Sequence, residues 1–271
     1  MTIRRYAMYP YIDLGFIELP TYLVIFSIGY ILMSIYARKI GTEYGYDKKD
    51  MLGVSVYAAV GLFVGAKLLY FVTVIPSAIK DIEELRIMIE LSPIRAIDYL
   101  FGGLVYYGGF IGAAVGLYIY CKKHFLPWVP MTDIYAPLVP FVHGCGRIGC
   151  FMAGCCYGIE YNGIGAVCLP GQDICRFPVQ LVEAVINFTL ALILELVRRK
   201  KVTKSGRLVG MYMMSYGIVR FILEFLRGDE GRGAIGILST SQIISIILIP
   251  IGIMLVKGKM SNNTGKMECE K

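Results

Sequence analysis

Arg147 and Arg220 each interrupt a stretch that otherwise has the composition of a membrane-spanning helix. A guanidinium stays charged at any physiological pH. Burying it near lipid is costly unless a counter-charge, a water-filled cavity or a bound anion accompanies it. Glu224 follows Arg220 by four residues and Arg227 follows Glu224 by three, so a helix through them places all three on one face. Two such arginines can grip a phosphodiester through paired N–H donors and stabilise charge growing on a phosphate leaving group. Glu224 can orient Arg220 or Arg227, or take a proton itself. The competing reading is an ion pair that only ties helices together.

The elements that must position these residues are helices in a bilayer. Of the 271 residues 56% are hydrophobic, and the mean hydropathy is +0.63, too apolar for a soluble domain of this length. Seven windows are long enough for a hydrocarbon core of roughly 30 Å: about 17–37, 51–76, 100–120, 133–152, 178–197, 208–226 and 237–256. The expected fold is all-α, a polytopic membrane protein with seven transmembrane helices. Residues 1–16 lack a separate apolar run and a small-residue cleavage site, so the first helix is expected to stay in the protein.

Lysines and arginines orient the bundle. Sixteen fall in one set of loops, among them Arg38, Lys39, Lys122, Lys123, Arg198, Arg199 and Lys257. Eight fall in the other set, and Lys67, Arg147 and Arg220 lie within the windows. The bias predicts an N-terminus outside and a C-terminus in the cytoplasm, with Arg4 and Arg5 running against it. The net charge of +7 thus reflects topology, and nothing in it points to nucleic acid. Residues 1–257 read as one membrane domain with small outer-face loops at 77–99 and 153–177, and 258–271 as a polar cytoplasmic tail. The first loop, with Asp81, Glu83, Glu84, Arg86 and Glu90 among Ile and Leu, predicts a short amphipathic helix.

At 1.5 Å per residue this topology assigns depths. Arg147 falls in the outer half of its helix. Tyr216, Arg220 and Glu224 line one face of helix six, and Arg227 reaches the surface. Tyr106 and Tyr107, Gln180 and Glu183, Ser239 and Gln242, Tyr22 and Lys67 all fall at the same level. The convergence predicts a positively charged polar cavity in the outer leaflet, where the head group of a phosphate-bearing lipid sits. The inner halves are largely apolar, which argues against a transport pathway.

Six of the eight cysteines lie between 145 and 175: Cys145, Cys150, Cys155, Cys156, Cys168 and Cys175. The last four border the second loop, where an even set predicts two disulfides, with Cys155 and Cys156 pairing outward to Cys168 and Cys175. Metal binding is the weaker reading, since there is no CxxC pair and no useful histidine. A membrane thiol–disulfide oxidoreductase built on the Cys145–Cys175 cluster is the rival activity. Cys150, one turn from Arg147, reads as a reactive thiol or as a small packing residue.

The motifs, taken in order, resemble the prolipoprotein diacylglyceryl transferases of bacteria over nearly the full length. They are Gly108-Gly109, then Ala136-Pro137-Leu138-Val139-Pro140-Phe141 leading into Gly146-Arg147-Ile148-Gly149-Cys150-Phe151, then Gly154 and Gly158. Pro178-Val179-Gln180-Leu181 with Glu183, Tyr216-Gly217 through Arg220, Glu224-Phe225 and Arg227, and Leu238-Ser239 with Gln242 complete the set. The resemblance implies seven helices with the N-terminus outside, in the bacterial plasma membrane. It also implies transfer of a diacylglyceryl group from phosphatidylglycerol, in the outer leaflet, to the lipobox cysteine of a lipoprotein signal peptide. A thioether forms, glycerol phosphate leaves, and no metal or organic cofactor is required. In that picture Arg147 and Arg220 hold the lipid phosphate and Glu224 and Arg227 support them. Tyr22 and Gly158 match positions the family uses at its active site.

Three positions depart from the family pattern. Tyr107 stands where His precedes the glycine pair, Cys150 where Asn follows the arginine motif, and Cys155 where an acidic residue follows the glycine. The acceptor thiol must lose its proton before it attacks, and a phenol must shed its own proton before it can take another. His143, one turn before Arg147, is the second candidate base beside Tyr107. The departures point to a divergent member, with a different acceptor as the alternative.

Overall fold

The structure is a computed structural model that describes residues 9–168, 174–200, 205–228, 234–235 and 237–258. In chain order a hairpin, β1 (Tyr11–Asp13) and β2 (Glu18–Pro20), leads into α1 (Thr21–Glu43) and α2 (Lys48–Lys80). Then come α3 (Ile82–Leu91), α4 (Pro93–Phe101), α5 (Tyr106–Lys123), α6 (Trp128–Tyr135) and α7 (Leu138–Met152). A second hairpin, β3 (Val167–Cys168) with β4 (Cys175–Arg176), precedes α8 (Val179–Arg199). The last part is α9 (Arg207–Leu223), a 3-10 turn (Glu224–Leu226), β5 (Ala234–Ile235), β6 (Leu238–Ser239) and α10 (Thr240–Val256).

Each of the seven apolar windows contains a helix, because a chain surrounded by hydrocarbon must satisfy its backbone polar groups internally. Among the described residues four helices are long and apolar enough to cross a membrane: α1, α2, α8, and α9 with its 3-10 turn. The pair α4 and α5, bent by 54°, makes a fifth when taken as one span. Helices α7 and α10 are apolar but shorter, at 15 and 17 residues. Ile31, Ile35, Val60, Leu68, Val72, Leu192 and Ile222 are exposed, whereas Gln180, Glu183, Asn187 and Arg220 are buried. Apolar outside and polar inside is the arrangement of a multi-pass membrane protein.

The 77–99 segment differs from expectation in holding two helices rather than one. Pro93 opens α4, where its missing N–H costs nothing, and it holds Ser92 extended at φ −157°. The expected tail, 258–271, lies outside the described residues beyond Gly258, as do Arg4 and Arg5.

The chain forms two compact units, residues 41–131 and the remainder. In the first, α2 and α5 pack backbone to backbone through glycines. A Cβ on Gly61 would lie 2.1 Å from the Gly112 carbonyl oxygen, and one on Gly108 would lie 2.3 Å from that of Gly65. Lys67, inside α2, donates to the carbonyls of Phe101 and, at 3.2 Å, Gly103. Its charge is thus used at the C-terminal end of α4, where carbonyls are uncompensated.

In the second unit α9 and α10 approach at Gly210 and Gly252, where a Cβ on Gly252 would sit 2.7 Å from the Gly210 carbonyl oxygen. α7 and α8 pack beside each other. Asp133 accepts hydrogen bonds from the backbone N–H of Gly206 (2.6 Å) and Val209 (3.0 Å), which serves the orphan donors at the start of α9. Glu195 on α8 accepts from Tyr36 of α1 (2.7 Å) and pairs with Arg198 and Arg199.

The glycine contacts predict a graded series. Gly61→Ala should destabilise the folded protein by about 1–3 kcal/mol or more, since backbone cannot yield as a side chain does. Gly109→Ala, whose nearest atom is 3.3 Å away, should cost much less. Thermal unfolding in detergent reads both, and equal melting temperatures would contradict the packing.

Candidate active site

The second unit brings together side chains from five helices. On α7, His143 and Arg147 share a face by their spacing of four. Near the start of α8, Gln180 and Glu183 point the same way. Glu183 is fully buried, and its Oε2 lies 2.7 Å from Nη2 of Arg147 while its Oε1 lies 3.5 Å from Nε2 of His143. The counter-charge for Arg147 is therefore Glu183, a residue the sequence placed only among those lining the predicted polar cavity. Arg220 on α9 pairs with Glu224 at 2.8 Å, as the spacing of four predicts, and donates to Ser241 Oγ at 3.0 Å.

Neither guanidinium is used up. Arg147 Nε and Arg220 Nη1 are buried and have no hydrogen-bond partner among the described residues. A guanidinium carries five donors in a rigid fork, and these two N–H groups can take anionic oxygens. Such a pair fits a phosphate better than it fits a purely structural role, in which buried donors would be satisfied within the protein.

Tyr216 packs edge-on against His143, with 5.2 Å between ring centres, and stacks on Tyr212. Tyr22 opens α1 against Gly149, where a Cβ would come within 3.0 Å of the Tyr22 Cα. Arg227 is buried and its backbone bridges Gly158, which has room for no side chain because a Cβ there would lie 2.4 Å from the Phe177 carbonyl oxygen. Two predicted contacts have local duties. Gln242 accepts from the Ser239 N–H and donates its own N–H to Ser239 Oγ, a capping box that starts α10 and sets Ser241 beside Arg220. Gln180 donates to the Cys155 carbonyl at 2.8 Å. Tyr107, Gly108 and Gly109 belong to the other unit, where Gly108 makes the close contact between α2 and α5.

The cysteine pairing differs from expectation. Among the described residues the one disulfide, Cys168–Cys175, closes the β3–β4 hairpin, while Cys155 and Cys156 are free and gather with Cys150. The reason is the end of α7. Gly154 is left-handed at φ 69°, the Cys155 N–H reaches back to the Cys150 carbonyl (3.1 Å), and the Gly154 N–H bonds that of Phe151 (3.1 Å). This is the glycine-terminated Schellman cap, and it folds the two cysteines back over the last helical turn, away from the hairpin. Gly154 just past an apolar run was the sequence signal. Hydrogen bonds from the Cys150 and Cys155 thiols, aided by the charges of Arg147 and Arg227, lower the pKa of Cys156.

A multi-pass membrane protein with a buried pair of partly committed arginines is a candidate for handling a phosphate-bearing lipid. Residues 10–257 match the model of the prolipoprotein diacylglyceryl transferase family, and the chain belongs to that family. It is 36% identical over 234 residues to the phosphatidylglycerol–prolipoprotein diacylglyceryl transferase of Clostridium tetani, covering 84% of this chain and 88% of that one. Transferase 2 of Clostridium perfringens and the transferase of Finegoldia magna are each 31% identical, with 88% of this chain and 90% of theirs covered.

The ion pair between α7 and α8 yields a test. Glu183→Ala should destabilise the protein by about 3–5 kcal/mol, because it strands the buried charge of Arg147. The double variant Glu183→Ala/Arg147→Met should recover part of that loss in a detergent melt. Additive losses would mean that the two side chains are not coupled.

Proposed function

We propose that this protein transfers a diacylglyceryl group from phosphatidylglycerol to the lipobox cysteine of prolipoproteins. The reading is supported by the activity named for its relatives and carried by one observation: two buried arginines, each with an N–H not used by the described residues. In the reaction the thiol loses its proton and the sulfur attacks the glycerol carbon that bears the phosphate ester. The C–S bond forms, the C–O bond breaks, and the electron pair leaves on glycerol phosphate. Arg147 and Arg220 hold the phosphate and meet the charge that develops on the leaving oxygen. Glu224 and Glu183 fix the two guanidiniums, and Arg227 and Gly158 close the loop beside them. His143, held beside Glu183, is the proposed acceptor of the thiol proton. Tyr22, Tyr216, Gln180 and Gln242 shape the site around the lipid. A part for Tyr107, Gly108 and Gly109 rests on the family resemblance.

The proposed topology has seven crossings in a bacterial plasma membrane, with the N-terminus outside, the C-terminus in the cytoplasm and the phosphate site in the outer leaflet. It is supported by the correspondence of seven apolar windows with helices and by the bias of Lys and Arg. A fluorescent protein that folds only in the cytoplasm, fused after Lys271, should then fluoresce, and alkaline phosphatase inserted in the 153–177 loop should be active. The reverse pattern would invert the topology.

The activity test uses labelled phosphatidylglycerol and a lipobox peptide in membranes. Arg147→Ala and Arg220→Ala should each lower thioether formation by about 10²–10³-fold, the usual cost of losing a donor to a developing oxyanion. His143→Gln should remove activity more severely than Tyr107→Phe if His143 is the base. Folded wild-type protein that makes no thioether would sink the proposal.

A further inference from the structure

The three thiols gathered at the end of α7 are not required by the transfer reaction. Cys150 is buried, Cys156 half-buried and Cys155 exposed, and their sulfurs all lie within 4.8 Å of one another. We propose that Cys150, Cys155 and Cys156 form a binding site for one thiophilic metal ion, of the class of Zn²⁺, Cd²⁺ or Cu⁺.

Four features support it. The sulfur spacing suits a shared ion: Zn–S bonds of about 2.3 Å at a tetrahedral angle need sulfurs about 3.8 Å apart, so a contraction of about 1 Å at most closes the site. The backbone is set for this convergence. The cap returns Cys155 to Cys150, and Cys156 holds a left-handed φ of 60°, a conformation that cysteine rarely adopts. Neighbouring groups hold the frame, since Gln180 grips the Cys155 carbonyl and the Cys155 thiol faces the Cys150 carbonyl at 3.6 Å. Charge also fits. Three thiolates on a divalent ion leave one negative charge, and the Arg147 guanidinium lies 3.9 Å from Cys150 Sγ. The exposed Cys155 gives an ion its entry path and leaves a fourth coordination position open.

An ion bound here would sit against the guanidinium proposed to hold the lipid phosphate, so occupation should slow transfer. The binding itself does not depend on that reading and is measured without substrate.

The test uses the full chain in detergent, reduced mildly and freed of metal, and titrated with Cd²⁺. One equivalent should raise an ultraviolet thiolate-to-cadmium charge-transfer band, and Zn²⁺ should bleach it in competition. Cys150→Ser, Cys155→Ser and Cys156→Ser should each weaken binding by about tenfold or more, whereas Cys121→Ser and Cys145→Ser should leave the band unchanged. Melting curves identify variants that fail to fold, and Cys155 and Cys156, outside the helix, are the two least exposed to that failure. No band from folded wild-type protein would overturn the proposal, and so would a band that survives both the Cys155 and Cys156 replacements.

Discussion

Holding guanidinium groups away from water is the constraint to which the rest of this structure answers. Arg147 and Arg220 cannot shed their charge, so each needs a fixed carboxylate close by. Glu183 and Glu224 supply them at 2.7 and 2.8 Å. A buried pair of this kind returns little net stability, because the desolvation of both ions offsets their attraction. The donors left over on both, Arg147 Nε and Arg220 Nη1, are buried and not used by the described residues.

The packing follows from the same economy of water. Helices in lipid gain little by hiding apolar surface from one another, so close backbone approach has to supply the attraction. Gly61 with Gly112 and Gly210 with Gly252 make those approaches in the two units separately. Glu183 can then be fully buried between α7 and α8 and still meet Arg147 from one side. Lys67 illustrates the alternative solution for a lone cation, which is to turn its ammonium to the free carbonyls at a helix end.

The end of α7 joins the ion-pair group to the loop that follows. A Schellman cap on Gly154 stops the helix and turns the chain back, so that three thiols and Arg147 occupy one neighbourhood. The same loop reaches Arg227 through the Gly158 bridge. Cys150 and Cys155, five residues apart in the chain, therefore meet in space. Their two thiols act on the chemistry of one place rather than of two.

The sequence by itself determined the helices and the contact between Arg220 and Glu224. Long apolar runs in lipid have little choice but to coil, and a spacing of four between Arg220 and Glu224 puts them in contact on any helix. Glycines and the arginine motif were enough to reveal the family. Tertiary structure decided which carboxylate serves Arg147 and that Cys155 and Cys156 turn toward Cys150 instead of Cys168 and Cys175. Those outcomes depend on how one helix rotates and slides against another and on the angle at which a loop leaves its cap. Hydropathy is blind to both, because it scores how apolar a segment is and not which neighbour each face meets.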